Sequence, residues 1–61
     1  MNPDLIDFEV RQMLAFITNH NERMQLRLTR TWTRVYGEDA AAMLMELAHN
    51  RIKLREALRV I

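Results

Sequence analysis

At about 100° per residue, Ile6, Val10, Met13, Ile17, Met24, Leu28, Trp32 and Val35 fall within one arc roughly 100° wide. The stripe keeps its phase throughout, which predicts a single helix from about residue 4 to 36, close to 50 Å long at about 1.5 Å per residue. Asn2-Pro3-Asp4 supplies its start, with proline tolerated in the first turn and Asn2 or Asp4 able to cap. Asp7 and Glu9 then place negative charge at the positive end of the helix. A competing reading comes from Asn19 and Glu22, a pair with capping-box spacing that follows poor helix formers. It breaks the chain near 19–21 and gives a three-helix bundle.

Gly37, the only glycine, is followed by Glu38-Asp39-Ala40, which reads as a left-handed helix terminator and then a fresh acidic N-terminus. The second helix therefore covers about 39–61, with Arg51, Lys53, Arg55 and Arg59 gathered toward its negative end. Its stripe is Met43, Leu47, Leu54, Leu58 and Ile61, flanked by Ala40, Leu44 and Ala57. Folding these two helices antiparallel gives an all-α hairpin in a single domain spanning residues 1–61. Asn21 and Asn50 interrupt the two stripes and come within about a turn of each other in that hairpin, so they read either as a shared buried polar layer that fixes register or as two partly exposed, solvated amides.

A second apolar row, Ala41, Met45, Ala48 and Ile52, runs along the same C-terminal helix at spacings of 4, 3 and 4. One partner helix cannot cover both rows. The unequal arms of the hairpin also leave Leu5, Ile6, Phe8 and Val10 overhanging. Both features predict a homodimer, two hairpins forming a four-helix bundle, with Leu5, Phe8, Ala41, Met45, Ala48 and Ile52 at the interface. Folding residues 4–18 back over the spare face is the monomeric alternative. Met13, Met24, Met43 and Met45 read as core filler. Trp32 and Tyr36, one turn apart near Gly37, read as a cap on the end of the core.

Composition sharpens this picture. A chain of 61 residues without cysteine has no disulfide or thiolate-zinc staple, so association with another chain is the means left for stabilising so small a core. No apolar run reaches ten residues, which excludes a transmembrane helix, and the chain is expected to be cytoplasmic with no membrane partner. There is no serine or cysteine nucleophile, glycine-rich phosphate loop or histidine pair at metal-binding spacing. No catalytic residue, metal ligand or cofactor is expected, and the protein reads as non-enzymatic.

Charge adds one feature. The net charge is only +1, yet eight of the nine basic residues are arginine, and Arg23, Arg27, Arg30 and Arg34 recur at spacings of 4, 3 and 4 on one helix face. Guanidinium groups in a row suit phosphate or carboxylate groups, either on a partner or on Glu46 and Glu56 across the hairpin. Two functions follow. The first is a small protein-interaction module, an adaptor, inhibitor or assembly subunit working through its helical surfaces as a homo-oligomer with an unidentified protein partner. The second is a nucleic-acid-binding regulator that uses the arginine stripe without reading sequence.

Overall fold

The computed structural model describes residues 2–60, together with every side chain among them except that of Val60. Ile61, placed in the C-terminal stripe above, lies outside the described residues. Three helices follow one another: α1 (Pro3–Thr18), α2 (Glu22–Tyr36) and α3 (Glu38–Val60). No strand occurs among the described residues. Each helix packs against both of the others.

The long first helix is therefore two helices, and the break falls at 19–21, where the competing reading put it. Its cause is local. His20 adopts the left-handed conformation, φ 54°, without being glycine. Its N–H donates to the Ile17 carbonyl, and the Asn21 N–H donates to the Phe16 carbonyl, the pair of bonds that closes a helix C-terminus on a left-handed residue. Asn21 then starts the next helix, its side chain accepting the Met24 N–H at 3.2 Å. Stripe phase could not reveal this break, because α1 and α2 each carry an apolar face and the seven-residue step from Ile17 to Met24 equals about two helical turns, which leaves the count in step. The predicted 50 Å rod also exceeds the longest dimension of the fold, 38 Å.

At the other junction the chain turns within one residue. Gly37 has φ 93° and ψ 165°, a conformation that is essentially glycine's alone. Its N–H closes α2 on the Thr33 carbonyl, and its carbonyl accepts the Ala41 N–H to open α3. Laid end to end, α2 and α3 would span about 57 Å at about 1.5 Å per residue, so they must double back to fit within 38 Å.

The buried core is Val10 and Met13 from α1, Trp32 from α2, and Ala41, Leu44 and Ala48 from α3. Ile6, Leu14, Ile17, Leu28, Tyr36 and Met45 pack partly buried around it. Two expectations reverse here. The α3 face reserved for a second chain, with Ala41, Met45 and Ala48, is the one that packs inside this chain, because the short α1 folds back over it. Small residues there let two helices and a full tryptophan ring approach closely, whereas the leucine row on the neighbouring face would hold them apart. Trp32 is likewise the centre of the core rather than its cap, with no exposed surface. Val35, counted in the first stripe, is exposed.

Candidate functional surfaces

The leucine row of α3, displaced from the core, becomes a surface. Met43 is 63% exposed, Leu47 41%, Leu54 61% and Leu58 63%. Together with half-buried Ala40 and exposed Asn50 and Ala57, they carry the spacing 40, 43, 47, 50, 54, 57, alternating steps of three and four residues. That is the seam pattern of a helix made to pack against another helix. Ile6 of α1 borders the seam beside Met43 and Leu47, while Leu14 borders it beside Leu54 and Leu58. The arginines Arg11, Arg51, Arg55 and Arg59 rim that second groove.

The expected polar layer does not form within the chain. Asn21 is exposed and occupied in capping α2, and Asn50 is exposed on the outer face of α3. Of the other residues assigned to a dimer interface, Leu5 and Phe8 are exposed on α1 and Ile52 is half-buried on α3. Ala41 and Ala48 are buried in the core and are not available to a second chain.

All four arginines of the stripe are exposed. On α2 they lie about 180° around the axis from Trp32, so burying the tryptophan turns the arginines directly outward. None is in an ion pair: among the described residues the salt bridges join Asp7 to Arg11 at 2.9 Å and to Arg51 at 3.0 Å. Glu46 and Glu56 therefore do not neutralise the stripe. The Asp7 pairs are solvent-exposed and contribute at most about 1 kcal/mol each. Like charges three and four residues apart cost a helix about 0.2 to 0.5 kcal/mol per pair, so three neighbouring pairs cost α2 about 1 kcal/mol. Arg23 adds to that cost by standing at the positive end of the helix dipole beside Glu22.

No known protein family, curated protein or solved structure matches the chain.

One polar contact escaped the sequence reading. Glu9 is buried against α2, and its carboxylate accepts the indole N–H of Trp32. A buried tryptophan has a single donor that must find an acceptor, and Glu9, four residues before Met13 on the α2-facing side of α1, was the available signal. With that bond made, no buried side-chain nitrogen or oxygen among the described residues lacks a partner. The histidines stand apart from any site: His20 is exposed in the α1–α2 turn and His49 is exposed on α3. Among the described residues no three His, Cys, Asp or Glu side chains gather closely enough to hold a metal ion, and no helix is long and apolar enough to cross a membrane.

Proposed function

We propose that the protein is a small non-enzymatic interaction module that works as a homodimer, with the outer face of α3 as its contact surface. The observation that carries this reading is the exposed seam of Met43, Leu47, Leu54 and Leu58 in a chain whose buried core, among the described residues, has only six hydrophobic residues, two of them alanine. Contiguous apolar surface of this kind marks an interaction site, and covering it adds the burial that so short a chain lacks.

Charge along α3 selects both occupant and orientation. The N-terminal part of the helix carries Glu38, Asp39 and Glu46, and the C-terminal part carries Arg51, Lys53, Arg55 and Arg59 against Glu56. Two copies packed antiparallel about a two-fold axis near Asn50 set each acidic half beside a basic half. Met43 and Leu47 of one copy then meet Leu58 and Leu54 of the other. A parallel pair would stack like charge on like charge at both ends. Asn50, the polar interruption of the seam, falls near the axis, where paired amides can fix register.

Light scattering after size exclusion tests this reading. The wild-type chain should run at twice its monomer mass at micromolar concentration. Met43→Glu with Leu54→Glu should yield a helical monomer, since both side chains are already more than half exposed and charge there leaves the intrachain core intact. A wild-type chain that stays monomeric at tens of micromolar, or a double variant that still dimerises, overturns the proposal.

A further inference from the structure

We infer that the outer face of α2 is a binding surface for the phosphate backbone of double-stranded nucleic acid, engaged through Arg23, Arg27, Arg30 and Arg34 independently of base sequence. The inference does not rest on dimerisation through α3, which leaves this face of α2 uncovered.

From Arg23 to Arg34 the row runs about 16 Å along the helix, long enough to bring its guanidinium groups to several phosphates of a duplex. The row contains only arginine, whose planar fork binds phosphate through two bonds at once, and among the described residues no carboxylate is paired with it. Carboxylates of an acidic protein would satisfy the same chemistry. A protein partner also calls for apolar contact in the centre of its interface; Leu26 is the one exposed leucine beside this row, and the large apolar seam among the described residues lies on α3 instead.

The groups around the row supply no reader of any base other than guanine, which arginine itself can pair with. The hydroxyls of Thr29, Thr31 and Thr33 donate to carbonyls one turn back in their own helix. Gln25, the only side-chain amide within α2, turns inward and donates to the Phe16 carbonyl. The face thus offers cationic donors and no neutral amide or carboxylate of the kind that distinguishes adenine or cytosine in the major groove. Nor does it suit single strands, which are held by stacking their bases on exposed aromatic rings. The aromatics of α2 are Trp32, wholly buried, and Tyr36, packed against the core.

Fluorescence anisotropy with two labelled DNA duplexes of unrelated sequence, across a salt series, tests the inference on the full chain. Both duplexes should bind at low salt with affinities within about twofold. Log affinity should fall with log salt at a slope approaching −3.6, about 0.9 for each of four phosphates. Arg27→Gln with Arg30→Gln should weaken both duplexes alike and flatten the slope by about 1.8, with unchanged helicity and melting. Ala15→Glu with Ala42→Glu, which lowers the net charge by the same amount at exposed positions outside both the stripe and the seam, should leave the slope unchanged. Absence of binding at low salt overturns the inference, as does equal weakening by the two double variants, which would mean diffuse attraction. Stronger competition by polyglutamate than by unlabelled duplex at equal charge also overturns it and assigns the stripe to an acidic protein.

Discussion

The bond between Trp32 and Glu9 joins α1 to α2 inside the core, and a double-mutant cycle measures its worth. Trp32→Phe removes the indole donor and leaves the Glu9 carboxylate buried without it. Glu9→Leu removes the acceptor and strands the indole N–H in a core that excludes water. A hydrogen bond to a charged group contributes about 1.5 to 3 kcal/mol, and a buried donor left unmatched costs about 1 to 3 kcal/mol. Each single variant should therefore lose about 2 kcal/mol. The double variant strands neither group, so it should be less destabilised than the two single losses added together, with a coupling energy of about 1.5 kcal/mol. In a domain of this size 1 kcal/mol moves the melting temperature by about 4 to 8 °C, so a single variant should melt about 8 to 16 °C lower. Glu9→Gln keeps a neutral acceptor and should lose about half as much, since ionised partners bond about twice as strongly. Denaturation followed by circular dichroism at 222 nm, at one fixed protomer concentration so that association does not enter the comparison, gives all four corners of the cycle. Additive single losses, with coupling within about 0.3 kcal/mol of zero, would refute the assignment of this contact as a cohesive bond.

Two further predictions concern the helix junctions. Asn21→Ala removes the side-chain cap of α2 and should lower stability by about 1 kcal/mol in chemical denaturation, and a neutral or stabilising result contradicts the capping role. Gly37→Ala meets no atom within 4 Å, so its cost is conformational alone, about 1 to 3 kcal/mol less a few tenths regained from a stiffer unfolded chain. An alanine variant as stable as the wild type would mean that the α2–α3 turn relaxes to another geometry.

Much of this architecture is legible in the sequence, and the exceptions have definite causes. Gly37 and the acids after it mark the start of α3 within one residue, since no other residue type suits that backbone. The arginine spacing places Arg23, Arg27, Arg30 and Arg34 on one face whatever the tertiary fold. Periodicity alone could not rank the two apolar rows of α3, because both repeat at helical spacing. What separates them is volume: Ala41 and Ala48 admit neighbouring helices, and Leu47, Leu54 and Leu58 do not. The turn at 19–21 lacked the expected glycine, since His20 takes the left-handed conformation in its place. Asn21 looked like an interruption of a stripe because its capping function emerges only once the helix is broken there. Glu9 passed for a surface charge near a helix start, and its role depends on a partner 23 residues away.

Every described side chain from Lys53 to Arg59 is exposed. This last stretch of α3 adds little to the core and is held mainly by backbone bonds propagated from the packed turns before it. Helix ends of that kind open locally at the least cost, so whatever covers Leu54 and Leu58 also protects the backbone that bears them, and amide exchange along α3 should rise stepwise beyond Ile52 while those side chains stay uncovered.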